Sequence, residues 1–147
     1  MRRLLAASAV LGLLVAVVAV APVAAKSRID VTMTVETVFG EDPNAFTSNI
    51  AGCEEGDTYT QGSAAFPPVF GVFLGYKLFD CYGDGETGFL VRLNAQFSYG
   101  GAGSTGSWTI VDAWGDLAGM SGGGKLVGVP MDGVDGITDY YFGRVTI

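Results

Sequence analysis

Between Ile29 and Val35 the chain alternates without a break. Ile29, Val31, Met33 and Val35 fall on one side, and Asp30, Thr32, Thr34 and Glu36 on the other. A period of two marks a strand with one dry face and one wet face. The pattern returns from Phe89 to Tyr99, where Phe89, Val91, Leu93, Ala95, Phe97 and Tyr99 oppose Arg92, Asn94, Gln96 and Ser98. Phe70 to Asp80 is the strongest core candidate: Phe70, Val72, Leu74, Tyr76 and Leu78 form an unbroken apolar set, opposite Gly71, Phe73, Gly75 and Lys77. The apolar set is expected to face inward, with Lys77 outside. Ser107–Val111, Lys125–Met131 and Ile137–Ile147 read as further strands, with a shorter one at Thr58–Gln61.

Turn chemistry separates these runs. Gly40 to Asn44, Cys81 to Glu86, Gly100 to Gly106 and Asp132 to Gly136 are rich in Gly, Asp and Asn, residues that accept turn backbones. Phe66-Pro67-Pro68 is extended or looped, because proline removes a ladder donor and restrains its predecessor. Asp116 to Met120 suits one helical turn at most. With seven or eight short strands expected and no long amphipathic helix, the pattern predicts an all-β fold. A small closed antiparallel β-barrel of about eight strands, built as a meander, is the preferred arrangement because closure removes exposed edges.

The N-terminus changes the picture of where this barrel works. Arg2 and Arg3 precede an apolar run from Leu4 to Val20, and Val23-Ala24-Ala25 fits the small-x-small cleavage rule. Residues 1–25 therefore read as an export signal, with an uncleaved anchor as the alternative. Residues 26–147 form one domain. The protein is expected to be secreted, to the medium or the cell envelope. Cys53 and Cys81, the two cysteines of the chain, are expected to form a disulfide there.

Charge and composition narrow the chemistry. Eight Lys and Arg against 15 Asp and Glu give a formal charge of −7, and loss of Arg2 and Arg3 makes the remainder more acidic. Such a surface repels phosphate backbones and anionic lipid, so neither nucleic acid nor stable membrane association is expected. The chain contains no His. That removes the usual base near neutral pH, the Ser-His-Asp and Cys-His arrangements, and most zinc sites. No metal or cofactor is expected.

The segment Gly106-Ser-Trp-Thr-Ile-Val-Asp-Ala-Trp-Gly-Asp-Leu-Ala-Gly-Met-Ser-Gly-Gly-Gly-Lys-Leu-Val-Gly128, with Thr138-Asp-Tyr-Tyr-Phe-Gly-Arg144, resembles the C-terminal half of allene oxide cyclase-like and dirigent-like barrels. The resemblance covers roughly Phe89 to Ile147. It implies an eight-stranded barrel, often a homotrimer, with an apolar central cavity in which some members guide a cyclisation or a radical coupling. The polar catalytic residues of those families cannot be placed here position by position, so the fold carries over more readily than the activity.

Gly101 to Gly106 matches G-x-G-x-x-G, yet a strand pattern follows where a dinucleotide site needs a helix; a hairpin loop is expected. Asp80, Asp84 and Glu86 surround a Gly-bounded turn that superficially suits calcium, but Asp-Gly is itself a hairpin signal. Tyr76, Trp108 and Tyr141 share parity with the apolar residues of their strands, Asp80 with Tyr76, and Asp139 with Tyr141. These five are the cavity candidates, against the alternative that they fill a core. Arg92, Asn94 and Gln96 are expected on a wet outer face or a subunit contact, and Arg144 is expected outside. The leading functional expectation is a non-catalytic barrel that binds a small apolar molecule or a protein partner. The alternative is a cyclase or dirigent-type enzyme.

Overall fold

The structure, a computed structural model, describes residues 26–65, 70–98 and 103–147. The expected export signal, the Phe66-Pro67-Pro68 segment, Tyr99 and the first two residues of the glycine motif, Gly101 and Ala102, lie outside the described residues. Eight strands follow one another: β1 (Arg28–Val38), β2 (Asn44–Ser48), β3 (Glu55–Ala65), β4 (Phe70–Cys81), β5 (Gly88–Ser98), β6 (Ser104–Trp114), β7 (Ser121–Pro130) and β8 (Gly136–Thr146). Each pairs antiparallel with its neighbour, and β8 closes on β1 to complete the barrel. The expected all-β architecture and its closed meander are thus the observed ones. A single 3-10 turn, Gly115–Leu117, stands where one helical turn was expected.

Two features depart from the pattern. Strand β2 has only five residues and is mostly polar, so alternation does not reveal it; Asn44 and Phe46 are its buried positions. The second departure is in β4, where the inward face is the reverse of the one expected. Lys77, Phe79 and Cys81 are buried, whereas Phe70, Leu74 and Tyr76 are exposed. The glycines explain the inversion. A Cβ on Gly71 would collide with the ring of Phe97 on β5, and one on Gly62 or Gly75 would meet Phe73 Cζ at 2.6 or 2.7 Å. Glycine therefore sits inside because an aromatic ring from a neighbouring position occupies its side-chain space. A small barrel must alternate large and small residues in this way to fill its taper.

The barrel has two unlike ends. At one, Phe79 and Phe89 stack with ring centroids 4.6 Å apart, and Phe46 and Tyr141 meet Phe79 edge-on at 5.1 and 5.8 Å. Trp108 extends the cluster through Tyr141 at 6.2 Å. Offset and edge contacts of this kind add about 0.5–1.5 kcal/mol per pair beyond the area they bury. The connections at this end contribute Ile50, Leu117 and Met120 to the same buried core. The bond between Cys53 and Cys81 ties the β2–β3 connection to the end of β4. This end is closed.

The cysteines are separated by 28 positions, a loop whose cross-link is worth about 3–4 kcal/mol in the chain-entropy description. Cys53→Ala and Cys81→Ala are each expected to lower unfolding stability by a similar amount, with the double variant losing no more than either single one. Denaturant melts of the three variants check this; additive losses would show the thiols to be independently packed.

Candidate ligand cavity

At the other end the inward residues are small, and the interior is hollow. Ala64, Ala95, Ser104 and Gly103 take positions that large side chains would fill, leaving a cavity of about 890 Å³. Its apolar walls include Phe73, Leu93, Phe97, Leu126, Ile137 and Tyr141. The β1–β2 connection, with Phe39 and Asp42, and the β7–β8 connection, with Met131 and Val134, edge the mouth. Buried Asn44 orders the first of these: its Oδ1 accepts from Val38 N at 2.7 Å and its Nδ2 donates to Glu41 O at 2.7 Å. The cavity lies within the range typical of small-molecule sites, roughly 300–1,000 Å³.

Polar groups gather at the inner end, next to the aromatic cluster. Lys77 Nζ donates to Thr37 Oγ1 at 2.9 Å and stands 3.9 Å from Asp139 Oδ2. The first is a hydrogen bond and the second is not, since N–H···O contacts fade beyond about 3.2 Å. The Lys77 side chain is 2% exposed and that of Asp139 13%. Burial pushes the Lys77 ammonium below the ordinary lysine value, against the pull of Asp139 and Asp42. Burial likewise raises the Asp139 carboxyl, against the pull of Lys77. Desolvation wins on both sides, and each shift favours the neutral form. The Tyr141 phenol is held well above its usual value by burial and then by the charge of Asp139.

This cluster has spare hydrogen-bonding capacity. A lysine carries three donors, and the described residues give Lys77 one hydrogen bond, to Thr37. The Tyr141 hydroxyl and Thr60 Oγ1 are buried with no partner among the described residues. Unpaired buried groups cost about 1–3 kcal/mol each, so two such atoms on residues that line one cavity need an explanation.

Of the five residues expected at a cavity, Asp139 and Tyr141 line it. Trp108 is buried one layer below, in the aromatic cluster, and its Nε1 donates to Lys125 O at 3.0 Å. Tyr76 is corrected: it is 44% exposed on the outer face of β4, because the parity of that strand is reversed. Asp80 is corrected too. It ends β4 at the closed pole and its Oδ1 accepts from Gly85 N at 2.8 Å, so it shapes the β4–β5 turn. Asp84 does the same for Glu86 N at 2.9 Å. Ser104 to Trp114 is strand, so no helix follows the glycine motif. Arg92, Asn94 and Gln96 point outward, and Arg144 pairs with Asp30 outside, Nε to Oδ1 at 2.7 Å.

Lys77 is the residue that sequence reasoning missed. A signal was present: Lys77 shares parity with Cys81, whose disulfide partner had to come from a different part of the chain, and with Gly71 and Gly75. No protein-family model matches the chain, and no curated protein matches it significantly. Among the described residues, no helix is long and apolar enough to cross a membrane.

If burial opposes both charges, removing them should not weaken the fold. The double variant Lys77→Met with Asp139→Asn is expected to be at least as stable as the parent. Asp139→Asn alone should show a pH signature. Below 3.8, the ordinary aspartate value, the carboxyl is protonated whether folded or unfolded, and variant and parent should match. As pH rises through the raised folded value, the parent should lose stability relative to the variant. Urea melts across the acid to neutral range check both expectations.

Proposed function

We propose that this protein is an exported binding barrel that holds one small, mainly apolar molecule in its hollow half, with the polar end of the ligand against Lys77, Asp139 and Tyr141. One observation carries the reading: an apolar cavity of about 890 Å³ is lined by residues that include Thr60 and Tyr141, whose buried hydroxyls have no partner among the described residues. Concave, apolar sites with a few convergent polar groups are the usual form of a small-molecule site. The walls are mainly apolar, and a hydrogen bond is stronger in such surroundings than in water. Export is supported by the tripartite pattern of residues 1–25 and by the Cys53–Cys81 bond, which suits an oxidising compartment.

A second reading shares the site. Three ionisable side chains with displaced proton affinities around one cavity are what a catalyst also needs. A cyclase of the allene oxide cyclase-like or dirigent-like kind, as the C-terminal resemblance implies, would use the walls to fold its substrate. Saturable binding without turnover favours the first reading. A trimer of the resembled kind would cover outer apolar residues such as Phe70, Leu74 and Tyr76.

Nile red, a neutral apolar fluorophore, is expected to bind saturably at one site and to be displaced by dodecanol. Ala64 is exposed toward the mouth, so Ala64→Trp should obstruct entry and weaken Nile red by about tenfold or more, equivalent to about 1.4 kcal/mol. Lys77→Met should weaken dodecanol by about 0.5–1.5 kcal/mol, the range for a hydrogen bond between neutral groups, while leaving dodecane almost unaffected. Equal losses for alcohol and alkane would place the ligand's polar end elsewhere.

A further inference from the structure

We infer that Lys77 is a covalent anchor, and that the cavity takes an apolar aldehyde and holds it as an imine on the Lys77 amine. This rests on the reading of the cavity as a ligand site and specifies the ligand's chemical class. The geometry restricts the choice. A carboxylate ligand would meet Lys77 but also Asp139, 3.9 Å from the same nitrogen, and the nearby charge of Asp42. Burying that anion would carry the desolvation cost that already disfavours the Asp139 carboxylate. A neutral carbonyl carries no such penalty, and its carbon is an electrophile for an amine.

The surroundings of Lys77 suit this chemistry. Burial favours the neutral amine, which is the nucleophile, and a desolvated lysine in an apolar pocket is the usual way a protein activates that group. Asp139, 3.9 Å from that nitrogen, is too far away to hold the amine in a hydrogen bond, and a proton can pass between them through one bridging water. Tyr141, whose hydroxyl has no partner among the described residues, lines the same cavity.

The step balances from the neutral pair. The Lys77 nitrogen lone pair forms a bond to the carbonyl carbon, and the carbon–oxygen π pair moves to oxygen. A proton passes from nitrogen to that oxygen, giving a carbinolamine. The Asp139 carboxyl then protonates the hydroxyl, the carbon–oxygen bond breaks, and water leaves. What remains is a protonated imine on Lys77 with the Asp139 carboxylate as its counter-ion. No oxidant or reductant is consumed, and the site begins and ends with no net charge. The buried pair thus gains a fixed cation to match its anion only when the ligand is bound.

Reductive trapping tests the assignment. The chain has three lysines, Lys26, Lys77 and Lys125, of which Lys26 and Lys125 are exposed, so peptide mapping can separate each of them and the N-terminal α-amine from Lys77. Dodecanal with sodium cyanoborohydride is expected to add one alkyl group per chain, mapped to Lys77 by peptide mass spectrometry, and dodecanol should compete with it. Lys77→Arg should abolish that label in a variant whose far-UV circular dichroism shows the barrel intact. Asp139→Asn should slow trapping on the order of 100-fold, the lower end of what a positioned proton donor contributes. Comparable labelling of Lys26, Lys125 and Lys77, or no adduct in a protein that binds dodecanol saturably, overturns the covalent assignment and leaves the binding reading standing. Failure of Nile red, dodecanol and dodecanal alike overturns both.

Discussion

Closing a sheet of eight strands on itself commits every second residue to a narrow interior, and everything else in this molecule follows from how that space is shared. Rings fill one half: Phe46, Phe79, Phe89, Trp108 and Tyr141 touch in an unbroken series. The other half sets glycine, alanine and serine among its larger wall residues and is left unfilled. A barrel of this size is normally packed with side chains or holds one small ligand; here the two solutions occupy opposite ends. The rings also dictate where glycine must stand, since Phe73 and Phe97 cover Gly62, Gly75 and Gly71 from neighbouring positions.

The Lys77–Asp139 pair sits at the boundary between the two halves, and its energetics argue against a purely structural role. Bringing two charges into a weakly polarisable interior costs several kcal/mol per ion, recovered only with good contact geometry and full hydrogen bonding. A separation of 3.9 Å with one hydrogen bond on the amine does not provide that. Apolar residues of similar size would hold the barrel at least as well. The pair makes sense as a feature of the hollow half, which faces whatever enters, rather than of the filled half, which holds the barrel together.

The fold was legible in the chain because alternation and turn chemistry agree along most of it. β1, β5 and β8 show their inward faces plainly, and those faces are buried as the alternation implies. Strand β2 was not legible, because five mostly polar residues carry no periodic signal. In β4, the rule that apolar residues face inward misleads. Both faces carry large apolar groups, and the set with more of them lies outside. That inversion hid Lys77 and drew Tyr76 into the candidate site. Asp139 and Tyr141 were legible because β8 is an ordinary alternating strand. What single-sequence reading lacks is the volume balance across strands, through which a ring on β5 determines the parity of a glycine on β4.

The seam between first and last strands has a practical consequence. Ser27 and Ile147 exchange backbone hydrogen bonds at 3.0 and 2.9 Å, so both ends of the described barrel leave side by side. They do so at the pole sealed by Ile50, Leu117, Met120 and the disulfide. Anything joined to either end, whether a tether, a tag or a solid support, therefore attaches behind the floor of the vessel and leaves its opening turned outward. Immobilised by one terminus, the barrel would stand as an upright cup.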